Sequence, residues 1–123
     1  MATQQKSPIT THILNTATGK PAGAVAVKLF CQKNNLTNEK TWQLIAEGIT
    51  DDDGRINNLL APHSELGSMP YKIQFDIAEY FTAQGVAYFF PVVDIVFLCE
   101  KERDHYHVPL LISPYGYSTY RGS

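Results

Sequence analysis

The stretch from His105 to Ser123 reads HYHVPLLISPYGYSTYRGS, and the fold follows from how it alternates. Side chains in a strand change sides with period two. On that spacing Tyr106, Val108, Leu110 and Ile112 share one face, and His105, His107, Pro109 and Leu111 share the other. The uniformly apolar set must be the core face, so both histidines look away from the core. Pro114-Tyr115-Gly116 supplies turn chemistry: a fixed φ at proline and a glycine without Cβ. Tyr117 to Arg121 then reads as a second strand, hairpinned on the first. A chain end carried on a strand is usually tied down.

Working back from this hairpin, the same alternation recurs. Ile9 to Thr16 is a strand with Thr11 and Ile13 on one side and His12 and Leu14 on the other. Thr18 to Gly23 is a loop by its glycine and proline content. Ala24 to Gln32 is a strand that presents Val25, Val27, Leu29 and Cys31 together, and Lys33 to Lys40 is polar and turn-like. Thr41 to Thr50 is a third strand, with Trp42, Leu44 and Ala46 aligned. Asp51-Asp52-Asp53-Gly54 is a tight turn, Arg55 and Ile56 start a short strand, and Asn57 to Ser68 is irregular. Tyr71, Ile73, Phe75 and Ile77 alternate with polar neighbours in a further strand. The period then changes: Asp76 with Glu79 three residues on is a capping pair, and Gly85 is a stop. About two turns of helix fit between them. Val92 to Cys99 is a strand, and Glu100 to Asp104 a charged turn. Seven or eight short strands with one short helix predict an all-β two-sheet sandwich.

Composition narrows the class. A chain of 123 residues suits one domain with one core, expected over 8–123 after a loose leader at 1–7. Hydrophobic content of 44% against 18% charged residues places it among globular chains. A net charge of −2 offers no electrostatic reason to expect nucleic acid, and no apolar run approaches the ~20 residues of a membrane helix. Met1 to Ser7 has no apolar segment of the secretory kind. The expected location is therefore cytoplasmic, or peroxisomal where an N-terminal signal has been trimmed. The order Cys31, Trp42, Cys99 mimics an immunoglobulin domain, but Phe97 stands where that fold wants a tyrosine. Two buried, reduced thiols are the better expectation.

Candidate chemistry is sparse. Asp51 to Gly54 lacks the ligand spacing of a calcium loop, since Ile49 would have to be its first ligand. His105 and His107 are two donors ~7 Å apart on one strand face, and His12 is a conceivable third, but there is no HExxH, CxxC or acidic partner at ligand spacing. No metal and no organic cofactor are expected. Gly116-Tyr117-Ser118 lacks the frame of a nucleophile elbow. His12, Arg55 and His107 each pass, taken singly, for a surface residue. His63, in the irregular segment, also reads as one.

Together with the terminus they do not. HYHVPLL followed by SPYGYSTYRGS, with HILNTATGKPA around His12 and DDDGR around Arg55, closely resembles the 5-hydroxyisourate hydrolases, enzymes of urate breakdown related to transthyretin. The likeness runs from about Pro8 to Ser123, and the motif residues are intact. It implies a transthyretin-like sandwich, a homotetramer and hydrolysis of 5-hydroxyisourate to 2-oxo-4-hydroxy-4-carboxy-5-ureidoimidazoline. It also implies His12, Arg55 and His107 as catalytic residues, with Ser118, Tyr120, Arg121, Gly122 and Ser123 lining the substrate site. Transthyretin itself, a hormone carrier on the same fold, has lysine in place of His12, glutamate in place of Arg55, and threonines in place of His107 and Tyr120. A small-ligand carrier is thus the alternative reading, and a structural adhesion sandwich a more distant one. The residue types suit hydrolysis. Imidazole titrates near neutral pH and can take a proton from water, and a forked guanidinium can hold a planar heterocycle and a developing oxyanion. Either His107 or His12 can be the base. No nucleophilic cysteine or serine lies beside a base, so water attack without a covalent intermediate is expected.

Overall fold

Two antiparallel-rich sheets carry the chain, and a single parallel pairing among the described residues joins its two ends. The structure is a computed structural model that describes residues 7–34, 36, 39–100 and 105–123. The first sheet has the order β2(Lys20–Pro21), β1(Ile9–Asn15), β8(Tyr106–Ser113), β9(Gly116–Thr119), with β5(Arg55–Ile56) also on β1. The second has the order β4(Lys40–Ile49), β3(Ala26–Asn34), β6(Met69–Asp76), β7(Val92–Cys99). The architecture is the expected mostly-β sandwich with one short helix, α1(Ile77–Gln84). Seven of the strands have four residues or more. Two are two-residue pieces, and of these Lys20–Pro21 falls in the segment expected to be loop.

The core lies where alternation puts it. Ile9 and Ile13 of β1, Leu29 of β3, Ile73 and Phe75 of β6, Val93 of β7, and Leu110 and Ile112 of β8 are all fully buried between the sheets. Burying each of these side chains stabilises the fold by roughly 1.5–3 kcal/mol relative to exposure. Helix α1 closes one end of the sandwich with Ile77 and Phe81.

Three expectations change in detail. Trp42, Leu44 and Ala46 do not share a face. A bulge falls in β4 where Leu29 pairs with Ala46 and the next residue, Phe30, pairs with Leu44. The extra residue, Ile45, resets the alternation. Ala46 goes inward with Leu29, while Trp42 and Leu44 go outward with Phe30. The ammonium of Lys72 lies 4.7 Å from the Phe30 ring centroid and 4.9 Å from that of Trp42, on the outer surface. At the start of α1, Asp76 occupies the cap position but its side chain makes no capping bond. The Pro91 carbonyl instead accepts from Ile77 N–H (3.1 Å) and Ala78 N–H (3.0 Å), satisfying two of the donors a helix start leaves open. Residues 1–6 of the expected leader and 101–104 of the expected charged turn lie outside the described residues. Ser7 is no part of a loose leader. It is buried, donates to the Ile9 carbonyl at 2.9 Å, and accepts from Leu60 N–H at 3.1 Å.

Both cysteines are buried free thiols, and register explains why they stay apart. Cys31 pairs across to Tyr71, which pairs with Phe97, so β6 separates β3 from β7. Two strand spacings are ~9.5 Å, beyond the ~7 Å that a disulfide tolerates between Cα atoms. Burial pushes the Cys99 thiol up to about 12, with the guanidinium of Arg121 pulling weakly the other way. A raised acid pKa favours the neutral thiol in the folded state. Its contribution to stability is therefore complete below the ordinary value of 9.0 and is lost as pH rises from there through about 12. Native protein at pH 8 should resist iodoacetamide at Cys99, and guanidinium-unfolded protein should be alkylated, as read by peptide mass mapping. Rapid native modification of Cys99 would contradict this burial.

Candidate active site

The outer face of the first sheet gathers residues from four separate segments into two cross-strand rows. Strands β1 and β8 run parallel in unbroken register from Ile9↔Tyr106 to Asn15↔Ile112. One row is Arg55, His12, Pro109, because β5 pairs with β1 at His12↔Arg55 and β8 pairs with it at His12↔Pro109. The adjacent row is Thr10, His107, Gly122, through Thr10↔His107 and an isolated bridge His107↔Gly122. Residues directly opposite on a face have Cβ atoms roughly 4.5–5.5 Å apart and diagonal neighbours lie roughly 7–8 Å apart. His12 is the register partner of Arg55 and lies diagonal to His107.

Each position has a local cause. Arg55 follows the Asp51-Asp52-Asp53-Gly54 turn. There Asp51 Oδ1 accepts from the backbone N–H of Asp53 and of Arg55, both at 2.9 Å, and the Asp51 N–H donates to the Arg55 carbonyl at 3.0 Å. Gly54 has φ +73°, and a Cβ there would run into the Ile13 carbonyl, so the turn needs glycine to lay Arg55 beside β1. His107 is held from two sides. Its Nδ1 lies 2.8 Å from Thr10 Oγ1, and its carbonyl accepts from Gly122 N–H at 2.8 Å. A Cβ on Gly122 would collide with the His107 ring at Cδ2 and Cγ. The glycine therefore packs its bare α-carbon against the edge of the imidazole.

The remaining predicted residues distribute unevenly. Ser118 pairs with Leu111, one row beyond Pro109 on the same face. Arg121 turns away from it: its guanidinium carbon lies 5.1 Å from the centroid of the Tyr106 ring, at the open edge of the sandwich. There Tyr120 and Arg121 join His107, Tyr106 and residues 95–98 of β7 around a cleft of about 340 Å³. Ser123 is exposed at the chain end. A larger cleft, about 510 Å³, opens between the β1–β2 loop and α1 beside Lys20, Glu79 and Tyr80, and contains none of the predicted residues. Among the described residues no group of three or more histidine, cysteine or acidic side chains could hold a metal. Both ring nitrogens of His105, and Nδ1 of His107, are turned to protein groups. Thr10 Oγ1 lies 3.4 Å from His105 Nε2, and the Ser7 carbonyl 3.2 Å from His105 Nδ1. Thr10 was not among the candidates, and His105 was weighed only as a metal ligand. Alternation alone places Thr10 on the face of His12; that this face adjoins His107 needs the parallel pairing.

The sequence from residue 9 to residue 122 matches the HIUase/Transthyretin family. The chain belongs to that family. Relatives include the 5-hydroxyisourate hydrolase of Mus musculus, 41% identical with both chains covered in full, and that of Salmonella typhi, 43% identical over 94% of this chain and 80% of the relative. Among solved structures, sea bream transthyretin in complex with thyroxine superimposes with a TM-score of 0.83 at 34% identity, covering 94% of this chain and 95% of that one. Klebsiella pneumoniae 5-hydroxyisourate hydrolase gives 0.77 at 33% identity, covering 95% and 100%. This family member thus has close backbone likeness to a thyroxine-bound transthyretin and to a hydrolase alike, so backbone likeness alone does not separate the two.

Because Gly122 leaves no room for a Cβ, Gly122→Ala should displace the His107 ring and shift its side-chain nitrogen resonances. Gly116→Ala, at the start of β9, should not, since a Cβ there meets only Ser113 Oγ at 3.6 Å. Unchanged His107 resonances in Gly122→Ala would mean that the glycine does not position the ring.

Proposed function

We propose that this chain hydrolyses 5-hydroxyisourate to 2-oxo-4-hydroxy-4-carboxy-5-ureidoimidazoline, a step of urate degradation. The observation that carries the proposal is the convergence of His12, Arg55 and His107, from three strands remote in sequence, on one sheet face. Full-length hydrolase relatives support it. So does the presence of all four side chains, His12, Arg55, His107 and Tyr120, that separate the hydrolases from transthyretin by resemblance. A carrier needs complementary shape alone; two imidazoles beside a guanidinium suit a reaction that moves protons.

The residue types on this face support a hydrolytic mechanism. One histidine, His107 or His12, takes a proton from water as its oxygen attacks a ring carbonyl at a C–N amide bond. The fixed charge of Arg55 stabilises the oxyanion that develops, where preorganised charge has its greatest effect. Collapse of the tetrahedral centre breaks the C–N bond, a proton passes to the leaving nitrogen, and the ring opens to a carboxylate. General acid–base groups contribute about 10²–10⁴-fold. None of the three side chains belongs to the buried core, so their removal leaves no core cavity.

The same sheet face supports a homotetramer with the catalytic faces stacked about a two-fold axis. Binding sites are concave, and a lone sheet face is open. Leu14 and Leu111 are only half-buried beside the histidines, and Pro109 is already buried within the chain. Strands β7 and β9 are the outer members of their sheets and expose Val96, Leu98 and Tyr117, a second apolar surface suited to association.

Protein mixed with 5-hydroxyisourate freshly made by urate oxidase should accelerate ring opening, followed in the ultraviolet; a rate no faster than the spontaneous one sinks the proposal. Alanine at His12 or His107 should lower turnover by about 10²–10⁴-fold with nearly unchanged melting temperature, and a triple alanine variant at His12, Arg55 and His107 that keeps half its activity would dismiss the site. Leu111→Asp should split the assembly and abolish turnover while the sandwich stays folded. A folded monomer by light scattering with wild-type turnover would refute the requirement for the tetramer.

A further inference from the structure

Beneath the candidate site runs a chain of three polar contacts: the Ser7 carbonyl to His105 Nδ1 (3.2 Å), His105 Nε2 to Thr10 Oγ1 (3.4 Å), and Thr10 Oγ1 to His107 Nδ1 (2.8 Å). Its direction can be worked out from the buried end. A carbonyl only accepts, so His105 Nδ1 carries the proton that meets Ser7. The Ser7 end is anchored. Its hydroxyl spans the Ile9 carbonyl and the Leu60 N–H, and the next carbonyl, that of Pro8, accepts from Tyr106 N–H at 2.7 Å. A neutral His105 protonated at Nδ1 has a lone pair at Nε2, which must accept. The Thr10 hydroxyl has one proton, and Thr10 is 4% exposed. Donating that proton to His105 leaves the hydroxyl oxygen to accept from His107, which satisfies every member of the chain. The opposite direction gives the proton to His107 Nδ1 and leaves the half-buried His105 lone pair without the hydroxyl, a poorer arrangement beside the buried Thr10.

We propose that Thr10 and His105 are positioning residues that hold neutral His107 as the tautomer protonated at Nδ1, so that Nε2 is the ring atom able to take a proton. This rests on the functional reading in which His107 acts on water. In that reaction Nε2 gains the proton, Nδ1 keeps its own, and the Nδ1–H to Thr10 bond becomes charge-assisted without any hydroxyl having to turn. Gly122 against the Cδ2–Cγ edge fixes the ring plane, and Thr10 fixes which nitrogen carries hydrogen. Neither Thr10 nor His105 needs to touch the substrate.

The test is a long-range proton–nitrogen correlation spectrum of the intact assembly with nitrogen-labelled histidine, with His105 and His107 assigned by loss of signal in their glutamine variants. At a pH where His107 is neutral, its Nδ1 should show a pyrrole-type shift and its Nε2 a pyridine-type shift. The reverse pattern in the wild-type protein overturns the proposal and requires no variant to fold. Thr10→Val removes the hydroxyl at nearly constant shape. It should abolish the tautomer preference and lower kcat on the order of 10²-fold with KM little changed, whereas Thr10→Ser should restore both. A Thr10→Val protein that keeps the wild-type tautomer and kcat also overturns it. Full turnover in His107→Gln would instead remove the functional reading, whatever the tautomer, so the two failures are distinguishable.

Discussion

The parallel pairing of β1 with β8 is the contact on which the site depends. Seven consecutive register pairs join residues about ninety-seven apart in sequence. Their slanted hydrogen bonds allow no slip by one residue, because a slip would turn Ile9, Ile13, Leu110 and Ile112 out of the core. The apolar alternation of two strands therefore locks the polar alternation on their reverse side. Thr10 must oppose His107 and His12 must oppose Pro109, since the inner faces of the same strands leave no other register. Packing energy from the core thus fixes the positions of groups that contribute little to it.

Around that pairing, two glycines complete the arrangement by what they lack. Gly54 permits a turn that a side chain would block at the Ile13 carbonyl, and so brings Arg55 alongside His12. Gly122 lets the chain end approach the His107 ring more closely than any Cβ allows. Constellations built on strands are held more precisely than those on loops. Here both histidines and the arginine sit on strands, with the acidic turn bonded into the strand that carries Arg55. The edge of the sandwich, by contrast, presents Tyr120 and Arg121 on an open cleft beside exposed apolar side chains of β7.

The family's two activities share one backbone, and the likeness of this chain to a thyroxine-bound carrier is as close as its likeness to a hydrolase. A fold of this kind supplies a sheet face held in register by its core; it says nothing about what happens there. By resemblance the distinction rests on a few outward side chains, which lie outside the buried core.

Much of this protein was legible in the sequence, because period-two alternation is a local property. It marked the strands, the core faces of Val27, Leu29, Ile73, Phe75, Leu110 and Ile112, the outward direction of His12 and His107, and the short helix before Gly85. It failed where one residue was added to a strand: the bulge at Ile45 sends Trp42 outward and Ala46 inward, and no signal in Thr41 to Thr50 announces it. It also failed where backbone replaced side chain, since the Pro91 carbonyl, not Asp76, serves the helix start. What only the tertiary structure decided is which strand lies beside which. Strand adjacency depends on contacts between segments a hundred residues apart, and alternation within either segment carries no trace of its partner. Hence His12 and His107 could be chosen from sequence and motif, while Thr10 within β1 and His105 just ahead of β8, each ordinary by itself, came together only when the pairing of β1 with β8 laid one hydroxyl between two imidazoles.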